Sequence, residues 1–157
     1  MENQTREKLP LNEAVTHLLE ECRMVLPGIQ ALFGFQLIAV FNSSFGEKLT
    51  STEQTLHLGA IVLVTIAIAL VMAPAAYHRQ SDPQEVTEGF LTVATRLLLW
   101  SMFPLMVGIC LDFYLIARLI LNNQLLSLVL SIGLLLMFST LWFLLPRLKI
   151  LRKILRS

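Results

Sequence analysis

The sequence predicts an all-α integral membrane protein: four transmembrane helices preceded by an N-terminal amphipathic interfacial helix, with a basic helical C-terminal tail. Three observations predict it. Four apolar stretches are long enough to cross a bilayer. Only 15% of the 157 residues are charged while 55% are hydrophobic, whereas a soluble domain carries about 25% charged residues. Basic residues also crowd one side of the spans. The mean hydropathy of +0.70 agrees with this class, and the length fits a single membrane domain over residues 1–157.

The elements follow in chain order. Residues 10–23 form the amphipathic helix: Leu11, Val15, Leu18 and Cys22 share a face at helical spacing, and Glu13, His17 and Glu20 line another. Asn12 suits its N-cap. Such a helix lies in the interface plane, and Pro27-Gly28 marks a bend into the membrane, because proline removes a backbone donor. A hydrocarbon core about 30 Å thick needs about 20 helical residues. The spans are then 24–41, 56–76, 91–117 and 125–145, joined by short polar loops. In lipid the backbone must satisfy its own hydrogen bonds, so spans of this length are helical. Pro104 falls inside the third span, where it frees the Trp100 carbonyl and kinks the helix.

Basic residues set the orientation. Arg6, Lys8, Arg23, Arg79, Arg96, Arg147, Lys149, Arg152, Lys153 and Arg156 fall on one side, and Lys48 and Arg118 on the other. Both termini and the 77–90 loop are therefore expected in the cytoplasm. The opening residues MENQTREKLP lack a signal-peptide pattern, so the first apolar segment is expected to stay. In the 146–157 tail, Lys149, Arg152, Lys153 and Arg156 follow helical spacing, with Leu148, Leu151 and Leu155 on a different face. This basic amphipathic helix suits anionic lipid head groups, at about 1 kcal/mol per charge, and also anchors the topology.

Few side chains offer chemistry. Asp112, about five residues below the far end of the third span, is costly in hydrocarbon and must face protein or water. His57 lies at similar depth and is its expected partner, with Arg118 as the alternative. Gln30 and Gln36, six residues apart, point about 120° apart on a helical wheel and read as separate interhelical hydrogen-bonders. Gly34 and the pairs Ala69/Ala73 and Ser127/Ser131 permit close helix approach. At the cytoplasmic rim, Glu20 and Glu21 meet Tyr77, His78, Arg79 and Arg96 at one level. The expectation there is that the amphipathic helix folds back, pairs an acid with Arg79 or Arg96, and leaves Tyr77 at the head-group level.

Other classes find little support. Glu13, His17, Glu20 and Glu21 cluster on a helix, but a membrane metal centre draws ligands from several helices, and the chain holds three histidines. No metal or cofactor is expected. Cys22 and Cys110 fall near opposite membrane faces, too far apart for a disulfide. Cys22 is expected to be reachable by thiol reagents from the cytoplasm, and Cys110 to react slowly. There is no nucleophile triad, no phosphate-binding glycine loop and no basic–aromatic surface for nucleic acid. Internal repeats are not evident, which weighs against an inverted-repeat transporter.

Two segments carry a family resemblance: Glu21-Cys-Arg-Met-Val-Leu-Pro-Gly-Ile-Gln-Ala-Leu-Phe-Gly-Phe, and Ala73-Pro-Ala-Ala-Tyr-His-Arg79 followed by Thr95-Arg96-Leu97. Over roughly residues 10–120 the chain resembles the bacterial membrane family called domain of unknown function 6328. The resemblance implies a bacterial inner-membrane protein and no particular activity. The functional expectation is a non-catalytic membrane module, not an enzyme, that forms a homo-oligomer or binds a membrane partner. The alternative is a homo-oligomeric ion channel or small-solute transporter whose path runs between subunits or past Asp112.

Overall fold

The computed structural model describes residues 10–80 and 87–147, and every element among them is helical. Helix α1 runs Leu11–Val40, the short α2 Ser43–Lys48, α3 Ser51–Gln80, α4 Glu88–Leu121 and α5 Gln124–Ser139. Helix α5 continues through a π-helical turn, Thr140–Leu144, and a 3₁₀ turn, Leu145–Arg147. Four helical stretches are long and apolar enough to span a membrane: 11–40, 51–80, 88–121 and 124–147. Each lies over an expected span. All four outrun the apolar core they cross, because helices continue into the polar interface until a cap or proline stops them.

One expectation changes. Residues 11–40 form one continuous helix, so the segment expected to lie flat in the interface is the first part of the first spanning helix. Pro27 sits inside α1 without ending it. A proline removes one N–H and leaves the rest of the ladder available, and Val15, Leu18, Cys22 and Ile29 bury one common side along the helix. Pro74 and Pro104 are likewise buried inside α3 and α4.

The spans run up and down. Helix α1 is antiparallel to α3, α3 to α4, and α4 to α5, as the contacts of Gln36 with His57, Tyr77 with Phe90, and Ser131 with Cys110 require. Both Pro10 and Arg147 therefore lie at one end, the terminal end, and the two short connections lie at the far end. The α4–α5 link is only Asn122-Asn123. Asn122 takes the left-handed conformation (φ 48°) and its N–H caps the Arg118 carbonyl, a geometry asparagine tolerates better than most L-residues. The Asn123 side chain then caps the Leu126 N–H and starts α5.

The α3–α4 pair is the most extensive interface and centres on Gly108. A Cβ there would meet Val64 Cγ2 at 3.0 Å and the Ala60 carbonyl oxygen at 3.3 Å. Glycine lets the two helices approach here without displacing Val64 or the Ala60 backbone. Around it Val64, Ala60 and Ala67 are fully buried. Helix α5 is seated on α4 by Ser127 and Ser131, its two buried residues. Ser131 Oγ donates to the Cys110 carbonyl at 2.8 Å. The Ala69/Ala73 pair is not part of the buried α3 face, since Ala69 is exposed and Ala73 half-buried.

Candidate functional site

The polar residues of three spans meet near the far end. Gln36 from α1, His57 from α3 and Asp112 from α4 form one network. Gln36 Nε2 donates to Asp112 Oδ2 at 2.6 Å. His57 Nδ1 lies 3.1 Å from Asp112 Oδ1. His57 Nε2 lies 3.0 Å from the Gln36 backbone carbonyl. Gln36 and His57 are buried, and the Asp112 side chain is 13% exposed.

The geometry fixes the proton count. A carbonyl oxygen only accepts, so Nε2 of His57 carries a hydrogen. The Nδ1–Oδ1 contact then needs one further proton between two acceptors. It sits on the imidazole, giving an imidazolium–carboxylate pair, or on the carboxyl, giving a neutral acid and a neutral imidazole. In either form the pair carries no net charge. That is how a carboxylate and a histidine become tolerable at membrane depth. One polar atom is left over: Gln36 Oε1 is buried without a hydrogen-bond partner.

A second polar cluster lies one to two helical turns nearer the far end. Glu53 Oε1 pairs with Arg118 Nε at 3.0 Å, while Glu53 Oε2 accepts from the Thr50 N–H and hydroxyl. Thr50 Oγ1 accepts in turn from the Glu53 N–H. This is a reciprocal N-terminal cap on α3, and its carboxylate is shared with an ion pair. Arg118 thus serves Glu53 and leaves Asp112 to His57 and Gln36. The Phe45 ring of α2 lies 5.3 Å from the imidazole. Between these groups is a cavity of about 380 Å³, edged by Gln36, His57, Asp112, Phe45, Leu49 and Leu115. Below the network the α1–α3–α4 interface turns apolar, through Ile29, Val64, Cys22, Val71 and Leu18. The site can exchange a proton between Asp112 and His57, but no polar chain continues from it through the bundle among the described residues.

The rim residues are arranged differently from expectation. Glu20 and Glu21 are exposed on α1, and Glu20 lies 3.6 Å from His17 Nδ1. Among the described residues, neither acid pairs with Arg79 or Arg96. The fold-back that would bring them together is missing, because α1 runs straight on through Pro27 and turns its acids outward while Leu18 and Cys22 face the bundle. Tyr77 stacks on Phe90 with ring centroids 5.6 Å apart, and His78 lies 5.8 Å from the same ring. Cys22 and Cys110 are free thiols and both are buried, Cys22 against a cavity between α1 and α3. The tail positions Lys149, Arg152, Lys153 and Arg156 lie outside the described residues.

Sequence reasoning passed over two parts of this end. Glu53 was legible as the last residue of Thr50-Ser-Thr-Glu53, a capping-box pattern before an apolar run. Gln36 was noted only as a hydrogen-bonder with no named partner. Which of two glutamines faces inward depends on the rotation of α1, and that is a tertiary property.

No curated protein and no solved structure matches the chain. A family model does match, over residues 4–146, and covers all four spans together with the residues of the polar network. The protein therefore belongs to the family of unknown function designated DUF6328.

Proposed function

We propose that the protein is a non-catalytic module of the bacterial inner membrane, with both termini cytoplasmic, that works by assembling with a second copy of itself. The orientation follows the excess of basic residues at the terminal end. The observation that carries the assembly reading is Gln30. It is exposed on α1, within the apolar stretch, and no polar partner for it exists among the described residues. Six residues from Gln36, it lies about 9 Å along the helix toward the middle of the membrane. A primary amide facing hydrocarbon costs several kcal/mol. Its donor and acceptor are both met by the same amide of another copy across a two-fold axis. Beside it Ala31 is exposed, and a Cβ on Gly34 would meet nothing within 4 Å, so a second helix has room to approach.

The test is association of labelled copies in liposomes, read by energy transfer as protein is diluted into lipid. Gln30→Leu is expected to weaken association by about 1–2 kcal/mol, roughly five- to thirty-fold, with Gln30→Asn retaining part of it. Association by Gln30→Leu equal to wild type would remove the basis for the reading. A transport reading draws on a different observation, the cavity of about 380 Å³ beside Asp112 and His57. Because the core below it is apolar, any path would run between subunits. Ion flux from liposomes that Asp112→Asn alters without changing association would favour that reading.

A further inference from the structure

At the terminal end, a cavity of about 480 Å³ opens between α1 and α3. Its walls are apolar, formed by Leu19, Leu26, Met72 and Ala75, and its rim carries Arg23, Arg79 and His78. The two arginines come from different helices. Both are exposed, and neither is ion-paired with any acid among the described residues. On α1, Glu20 is set beside His17 and Glu21 is exposed. Two guanidinium groups and an imidazole thus surround an apolar slot at the level where a bundle of this kind leaves the hydrocarbon. Two cations unpaired among the described residues, beside an apolar wall, complement an amphiphile with a negatively charged head.

We propose that this cavity binds an anionic phospholipid. Its phosphate sits between Arg23 and Arg79 with His78 beside it, and one acyl chain lies along Leu19, Leu26 and Met72. Guanidinium forks match phosphate oxygens two at a time, which a surface lysine does not reproduce. The bound lipid bridges α1 and α3 where the polar network at the far end gives no help, and so stabilises the folded bundle by mass action. The site is separate from the network of Asp112 and His57; on α1 its lining residues Leu19, Arg23 and Leu26 share a helical face with Gln30, which lies about 6 Å beyond Leu26 along the helix. It requires only that this end lie at a membrane surface, in either leaflet.

The experiment is thermal unfolding of the full chain in detergent, titrated with phosphatidylglycerol, phosphatidylcholine or inorganic phosphate, with native mass spectrometry counting bound lipid. Phosphatidylglycerol is expected to raise Tm and to appear as a bound lipid, while phosphatidylcholine and inorganic phosphate leave Tm unchanged. Arg23→Gln and Arg79→Gln should each weaken the lipid about tenfold, and the double variant should lose the shift. Neutralising Lys149, Arg152, Lys153 and Arg156 to Gln should keep it, which separates this cavity from the tail. Ala75→Trp fills the slot with every charge intact and should also lose the shift, so the test survives if the double arginine variant fails to fold. A full shift in Ala75→Trp, an equal shift with phosphatidylcholine or phosphate alone, or loss of the shift in the tail variant would each overturn the proposal.

Discussion

Asp112 shows how a single side chain is made acceptable in a membrane span. Its two oxygens are divided between Gln36 Nε2 and His57 Nδ1, and the one proton shared with the imidazole cancels its charge. A neutral amide fits the same pattern. In Asp112→Asn, the side-chain NH₂ donates to Nδ1 of a neutral His57, the carbonyl oxygen accepts from Gln36, and Nε2 keeps its hydrogen for the Gln36 backbone carbonyl. Asp112→Leu instead strands a buried donor on Gln36 and a nitrogen on His57, at about 1–3 kcal/mol for each. Thermal unfolding in detergent should therefore place Asp112→Asn close to wild type and Asp112→Leu well below it. Equal losses in the two variants would mean that the carboxylate contributes charge and not hydrogen bonding.

Among the elements, α3 and α4 form the frame, and the other spans are attached to it in different ways. Their seam depends on Gly108, since any larger residue meets Val64 and the backbone of Ala60. Gly108→Ala forces a displacement of a few tenths of an ångström, and Gly108→Leu forces the helices apart. Overpacking of this kind typically costs about 1–3 kcal/mol, so Gly108→Leu should lower Tm markedly more than Gly133→Leu, whose site is open. Helix α5 buries only two residues, both serines, adds a contact from Ser139 Oγ to Met106 Sδ at 3.6 Å, and has only 6% of its most apolar stretch buried. The contrast with α4, where 33% is buried, makes α5 the span most dependent on lipid or on another copy for its cover.

For the whole molecule, the antiparallel arrangement places Glu47 of α2 at the far end and exposed, opposite Pro10 and Arg147. Both native thiols are buried, so they are poor reporters of sidedness. With Cys22 and Cys110 replaced by serine, Glu47→Cys should react with a membrane-impermeant maleimide in intact cells, and Gln80→Cys should react only after the membrane is opened. The reverse pattern would invert the orientation and place the basic end outside. The lipid cavity would then face the other leaflet with its chemistry unchanged.

Hydropathy and helix length alone determined the class, the number of spans and their approximate limits. An apolar stretch of about 20 residues has no stable alternative to a spanning helix in a bilayer. The pairing of Asp112 with His57 was legible for a related reason: two costly groups at the same depth in neighbouring spans have few other partners. The spacing of Ser127 and Ser131 marked a face for close approach, as that of Ala69 and Ala73 did, and only the structure shows that the serines meet α4 while the alanines do not lie on the buried face. Rotation and continuity were decided only in three dimensions. The turn of α1 about its axis sent Gln36 into the network and Gln30 outward, and it took Glu20 and Glu21 away from Arg79 and Arg96. Every side of an apolar helix looks alike to lipid, so the choice of inward face is made by packing against α3 and α4. The same packing carried α1 unbroken past Pro27, because a proline weakens a helix locally while the buried stripe from Val15 to Ile29 holds it as one piece.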